Sequence, residues 1–480
     1  MGYEAMVPGN HEFNYGYKRL VELSKLMGFP MLSANVKTTD GKTLFDPYMI
    51  KEVDGVKIGI IALTTPETAY KTNPTNVEGL TFTDPSIEAK ILVDQLQDQV
   101  DVIVILGHLG QDKSSTDTSL KVVKEVAGID VFIDGHSHTV LENGLISDNN
   151  TLIASAGEYT NYLGVIDLWV EDGKVVKKTS TLIDEKEAAD VKPNAEVASL
   201  VEAILAKQEP LLQEEVGSTP VLLEGTREKV RASESNLGDL ITDAMRDISG
   251  ADIAITNGGG IRASIEAGDI TKGSVITVLP FGNQIVTLNV SGTDIKAALE
   301  NGVSDYPEPK GGFPQVSGLT FSIDPTKPQG SRVHSVYVDD KPLNLNATYN
   351  LATNDFMSVG GDEYTMFSKY SQAGMYGSLD EALITFIKNG GTIHSQADKR
   401  IIEAPTPVVA TQPTPTANNS KPEVKPTPAM NTKIYVVKKG DTLYQISLKY
   451  NTTWQVLRDL NHLKNAHRIY PGQEIILPAA

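Results

Sequence analysis

Two stretches of the chain, "VDVIVILGHLG" (Val100 to Gly110) and "GIDVFIDGHSH" (Gly128 to His138), run from a short Val/Ile-rich segment straight into Gly-His. Apolar runs of this length, closed by glycine, read as buried strands, and the loops leaving such strands are where reactive side chains collect. Helix-like patterns alternate with them. The expected class is therefore α/β and α+β in several domains.

A third such context opens the chain, "VPGNHEFNYG" from Val7 to Gly16. Three separated elements thus supply Asn10 and His11, then His108, then His136 and His138. A His-x-His just past a strand turns two imidazoles toward neighbouring positions, and the amide oxygen of Asn10 suits a hard or borderline cation. The absence of cysteine excludes disulfides and thiolate ligands, so a metal here must use His, Asn, Asp, Glu or water. His334, His394, His462 and His467 stand alone in sequence and are assigned no role.

The second half opens on "SNLGDLITDAMRDISG", where Leu237, Leu240, Ile241, Ala244, Met245 and Ile248 predict one helical face closed by Gly250. A strand then leads into "TNGGGIR", a glycine loop that lets backbone approach a ligand closely. Between the halves lies a polar, helix-like connector, Asn194 to Gly217. Ala404 to Lys433 is rich in Pro, Thr, Ala and Asn and reads as an extended, semi-rigid linker.

The 480 residues, 40% hydrophobic, suffice for two or three cores. No run approaches the roughly 18 apolar residues of a spanning helix. The formal charge of −19 argues against a nucleic-acid polymer as partner. From Lys433 onward seven basic residues face three acidic ones, leaving this tail at +4 and the rest at −23, as befits a separate module with its own partner.

The metal-type motifs, with "RASESNLGDLITDAMR", "ITNGGGIRASIEAGDIT", "VLPFGNQIVTLNVSG" and "LATNDFMSVGGDEYTMF", resemble the 5′-nucleotidase family through Ala404. "GNHEFNYG" is most similar to its 2′,3′-cyclic-nucleotide 2′-phosphodiesterase/3′-nucleotidase branch, because Asn14 stands where 5′-nucleotidases usually carry Asp. That Asp orients the catalytic histidine, so Asn14 argues against an acid-assisted dyad. The tail from Lys433 resembles a LysM module. Its pattern predicts a strand at Tyr435 to Val437, a helix starting at Asp441-Thr442, a second from Asn451 to Leu460 and a strand at Ile475 to Leu477.

The resemblance implies an incomplete calcineurin-like metallophosphatase sandwich over 1–190, a linking helix over 191–216, a substrate-binding α/β domain over 217–403, a linker over 404–432 and a βααβ LysM module over 433–480. It implies Asn10, His108 and His136 as ligands of one metal, His138 as a ligand of a second, and His11 as the histidine stabilising the transferring phosphoryl group. Arg231, Asn257 and Arg262 would anchor substrate, with Phe281 and Phe356 on either face of the base and Asp362 nearby. Two divalent ions such as Zn or Mn, nucleotide substrates, and peptidoglycan or another N-acetylglucosamine glycan are the implied cofactors and partners, at an extracellular or wall location. The Asp-x-His and Gly-Asp that the family carries ahead of its Gly-Asn-His-Glu run do not occur before Gly9. Met1 is therefore expected to be an internal methionine, with roughly a hundred residues missing upstream and an impaired metal site. The competing reading is a non-catalytic nucleotide- or glycan-binding wall protein.

Overall fold

The computed structural model describes residues 2–407, 433–438, 443–450, 452, 454–461, 463 and 473–477. The proline-rich stretch 408–432, the expected helix start at Asp441-Thr442, Asn451, His462 and His467 lie outside these residues. The chain divides into two compact units, Met1–Pro407 and Val408–Ala480. Among the described residues no helix is long and apolar enough to cross a membrane.

In the first part of the larger unit, six strands form one sheet: β1 (Tyr48–Val53), β2 (Val56–Thr64), β3 (Val102–His108), β4 (Val131–Ile133), β5 (Leu145–Ile146) and β6 (Leu152–Ala154). Their order is β1-β2-β3-β4-β6-β5, with β2, β3, β4 and β6 parallel. Parallel pairing sends chain after chain out at one edge. Because Thr64 pairs with His108, and Leu106 with Ile133, the loops after β2, β3 and β4 leave side by side. A short helix α1 (Thr68–Lys71) follows β2, and α2 (Pro85–Leu96) and α3 (Ser119–Glu125) cover the sheet. Helix α2 starts at Pro85 behind Asp84, whose carboxylate accepts from Ser86 N at 2.7 Å. Its Ala89, Leu92, Val93 and Leu96 pack on Ile61, Leu63, Ile103 and Ile105 of the strands. The hairpin β7 (Tyr162–Glu171) and β8 (Lys174–Asp184) follows.

The connector is a helix, α4 (Ala195–Leu212), capped by Asn194, and none of its residues is buried. It ends before the expected Gly217, since Glu215–Thr219 instead pairs as a strand with Gly268–Thr271. Helix α5 (Asn236–Ser249) is capped by Ser235, which accepts from Gly238 N at 3.0 Å, and closes on Gly250 at φ 64°. Its Leu237, Leu240, Ile241, Ala244 and Met245 are buried as expected. Ile248 is 38% exposed, a correction to the predicted face, because the last turn projects past the core.

Helix α5 lies on a five-stranded sheet ordered β11-β9-β12-β10-β13: β9 (Ile253–Asn257), β10 (Gln284–Ser291), β11 (Pro314–Ser317), β12 (Thr348–Asn354) and β13 (Gln372–Ser378). Core side chains fill both faces of this sheet, Ile255, Leu288 and Leu351 on one and Ala254, Ile285 and Ala352 on the other.

In the smaller unit, β14 (Lys433–Val436) pairs antiparallel with β15 (Glu474–Leu477). Helices α6 (Leu443–Lys449) and α7 (Trp454–Leu460) complete the strand, helix, helix, strand order, the second lying within the expected Asn451–Leu460. Val437, Leu443, Ile446, Leu457, Ile475 and Leu477 form its core. Asn461 holds strand to helix, donating to Leu457 O and Ile476 O and accepting from Ile476 N.

Candidate active site

One cavity of about 250 Å³ in the larger unit is lined by Asn10, His11, His108, His136, His138, Arg231, Asn257, Arg262, Phe281, Phe356 and Asp362. All eleven side chains singled out in the sequence therefore face the same space.

One wall is the strand-end edge of the six-stranded sheet. His108 Nε2 lies 3.2 Å from Asn10 Oδ1 and 3.3 Å from His136 Nδ1. Asn10 Nδ2 donates to Lys71 O at 3.3 Å, which turns the amide oxygen inward. His108 Nε2 thus has two further lone-pair atoms beside it, and both spacings match the edge of a tetrahedron around a cation bound at about 2.05 Å, namely about 3.3 Å. The donor set, two imidazoles and an amide oxygen, fits a divalent ion. Enclosure, and then the neighbouring His136, lower the His108 pKa to about 3, which leaves its lone pair free at neutral pH.

The backbone is bent to reach this arrangement. His136 and His138 both have positive φ, 76° and 59°, a strained region for residues other than glycine that commonly marks functional sites. Asp134 holds the bend: its buried Oδ1 accepts from Leu109, Gly110 and Gly135 N at 3.1, 3.0 and 2.9 Å, tying the loops after β3 and β4 together. Gly9 allows the segment carrying Asn10 to cross over His108, since a Cβ there would stand 2.5 Å from the ring. His138 Nδ1 instead pairs with Glu158.

His11 sits on the turn after Asn10. Its ring is exposed to the cavity, stacked on Phe281 at 4.9 Å, and Asn14 Nδ2 approaches its Nδ1 at 3.3 Å. Enclosure by the cavity walls first, and then Arg262, lower its pKa to about 4. With an amide donor at Nδ1 the neutral ring carries its proton on Nε2.

The opposite wall comes from the second half. Arg227, Arg231 and Arg262 line the cavity together. Arg227 pairs with Asp112 at 2.6 Å, and Arg262 lies 5.7 Å from the Phe281 ring centre. Arg231 is buried, its Nε without a hydrogen-bond partner, and burial followed by the charges of Arg227 and Arg262 lowers its pKa to about 9. Three guanidinium groups this close carry charge that an anion would balance. Asn257 is committed locally: its Nδ2 donates to Asp362 at 2.7 Å and its Oδ1 accepts from Asn354 at 3.0 Å. Burial raises the Asp362 pKa. Phe281 and Phe356 are both half-buried, and Phe356 also packs on the core.

Sequence reasoning missed Glu67, Asp134, Glu158 and Arg227. Only Arg227 carried a usable signal, its spacing of four from Arg231 on a helical turn. Outside the cavity, Asp243, His394 and Asp398 also cluster, but Arg400 already bridges both carboxylates, donating to Asp243 at 2.8 Å twice and to Asp398 at 2.8 Å.

Residues 2–140 match the calcineurin-like phosphoesterase family, 215–369 the 5′-nucleotidase C-terminal domain and 435–478 the LysM domain. The chain is 34% identical over 459 residues to the trifunctional nucleotide phosphoesterase protein YfkN of Bacillus subtilis, covering 84% of this chain and 30% of that protein's length. It is 31% identical over 455 residues to protein UshA of Yersinia enterocolitica, covering 86% and 79%. The crystal structure of a 5′-nucleotidase precursor from Thermus thermophilus superposes with a TM-score of 0.74 at 35% identity, covering 84% of each chain. With both catalytic-type domains matched and the fold shared, the chain belongs to the 5′-nucleotidase family of metal-dependent phosphoester hydrolases.

Proposed function

We propose that the cavity hydrolyses nucleotide phosphoesters, with the phosphoryl group between the two walls and the base against the aromatic rings. The observation that carries this is the pairing, in one cavity, of three converging lone-pair donors with three guanidinium groups. Asn10, His108 and His136 hold one divalent cation, and His138, turned by the same strained loop, serves a second. When bound, these cations supply polarisation of a phosphoryl oxygen and an acidified water. The His11 Nε2–H donates to a phosphoryl oxygen as charge builds there, a role for which a neutral ring is suited. Arg227, Arg231 and Arg262 draw the anion in and orient it by paired donors. Phe281 and Phe356 offer flat faces to the base, and tolerate different bases because stacking needs only a π surface. Asn257 and Asp362, hydrogen-bonded to each other, present one polar edge to the sugar or base.

The match to LysM over 435–478 supports a second role, retention on an N-acetylglucosamine-containing glycan, with peptidoglycan as the expected partner and the cell surface as the location. The +4 charge of this tail favours encounter with an anionic wall.

The test is phosphate release from 2′,3′-cyclic, 3′- and 5′-nucleotides by the full chain with Mn²⁺. Release that stops on chelation and resumes with fresh Mn²⁺ is expected. Nucleotide binding with no release under any metal would favour the non-catalytic reading.

A further inference from the structure

Glu67 is buried, and no role in the chemistry above requires it. Its carboxylate nevertheless touches the metal cage from behind. Oε2 accepts from His136 Nε2 at 2.9 Å and from Lys71 Nζ at 2.8 Å, while Oε1 accepts from Tyr70 Oη at 3.1 Å and Ser115 Oγ at 2.9 Å. All four acceptor positions are used. We propose that Glu67 is the positioning residue of the cation site, fixing the tautomer and tilt of His136 while the turn that carries it fixes the amide of Asn10. The inference rests on the reading that Asn10, His108 and His136 hold a cation.

The chemistry follows from the imidazole. A neutral ring offers one lone pair, and only when its other nitrogen is protonated. In His136 the two nitrogens have different surroundings: Nδ1 faces His108 Nε2 at 3.3 Å, whereas Nε2 faces a carboxylate. The carboxylate therefore holds the proton on Nε2 and leaves Nδ1 open toward the cluster. Glu67 is not itself a ligand, since the ring stands between its oxygens and the converging atoms. An anionic acceptor on the far nitrogen also makes a ligating imidazole more basic.

The segment around Glu67 is pinned. Thr65 Oγ1 accepts from Glu67 N at 3.3 Å, and Thr68 Oγ1 donates to Thr65 O at 2.7 Å. Four residues on, Lys71 O accepts from Asn10 Nδ2, so a single turn orients one donor through a side chain and another through a carbonyl. Because β2 ends beside the end of β3, this turn is placed behind the site by strand pairing.

The alternative is that Glu67 only neutralises Lys71. Two measurements on the full chain separate the readings: Mn²⁺ affinity by calorimetry, and the His136 tautomer from side-chain ¹⁵N shifts in the metal-free protein. Glu67→Ala should weaken Mn²⁺ about 10- to 100-fold and abolish the fixed Nε2–H tautomer. Glu67→Gln, which keeps the shape and an oxygen acceptor, should lose less and guards against a folding defect. Mn²⁺ affinity within twofold of the parent in both variants, with His136 still protonated on Nε2, would overturn the proposal. His136→Ala is the control for the cation reading: if it binds Mn²⁺ as the parent does, that reading fails, and the tautomer alone decides the role of Glu67.

Discussion

The two walls of the cavity are built on opposite principles. The histidine wall stands on parallel strand ends and is braced by buried carboxylates, Asp134 beneath the loops and Glu67 behind the ring of His136. Its imidazoles are held in place before any ligand arrives, at the cost of two positive-φ residues. The arginine wall is braced far less. Its three guanidinium groups repel each other, and Arg231 buries an Nε with no partner. The first wall is a cage made rigid in advance; the second holds unbalanced charge that an anion would settle.

Three substitutions sharpen this contrast. The largest expected effect is on catalysis: with His11→Ala, turnover should fall about 10²- to 10³-fold while Mn²⁺ content stays at the parent level. Parallel loss of metal would make His11 a ligand instead. Next, Asp134→Ala should destabilise the protein by about 3 kcal/mol or more, since three buried N–H groups lose their acceptor, read as a lower urea midpoint. On the other wall, Arg231→Met should raise KM by the equivalent of about 1.5 to 3 kcal/mol yet leave thermal stability equal or higher, because it removes repulsion. A lower melting temperature would show that Arg231 is structural and that the contrast is wrong.

A smaller effect concerns the aromatic faces. Phe281→Ala or Phe356→Ala should cost about 1 to 3 kcal/mol with nucleotides and little with a base-free phosphoester. Equal losses on both substrates would mark the rings as packing residues, and Phe356, which already packs on the core, is the more exposed to that outcome.

Elsewhere in the second half, Asp239 buries Oδ1 without a hydrogen-bond partner, Arg400 Nε standing 3.6 Å away. Burial, opposed by Arg400 and reinforced by Glu234, raises the Asp239 pKa to about 8. The folded state therefore keeps a proton that the unfolded chain releases near pH 4. This contribution to stability is complete below about pH 4 and is lost as pH rises through about 8. The melting temperature should decline modestly from about pH 6 to about pH 9, and Asp239→Asn should flatten that slope. A parent protein with no decline would mean that Asp239 does not keep its proton.

The sequence disclosed what is local. Strands ending in Gly-His and the helix face closed by Gly250 were legible because periodicity and strand-end motifs span few residues, whereas Arg231, Asn257, Arg262, Phe281, Phe356 and Asp362 were named by family resemblance and Arg227 beside them was missed. Glu67 was not legible: its partner His136 lies 69 residues away, and only the parallel pairing of β2, β3 and β4 brings them together. Asp134 reads in sequence as an ordinary loop residue, and its three backbone bonds exist only once two loops are adjacent. Ile248 failed for a related reason, since helical periodicity cannot say where the core ends.

The central claim is that Asn10, His108 and His136 form a cation site facing an anion-binding arginine wall. It is tested most directly by anomalous diffraction from crystals of the full chain soaked in Mn²⁺ and a non-hydrolysable nucleotide. The account predicts a peak within bonding distance of Asn10 Oδ1, His108 Nε2 and His136 Nδ1, with phosphate oxygens reaching from it to Arg231. A cavity with no peak, or Mn²⁺ held only at Asp243, His394 and Asp398, would contradict it.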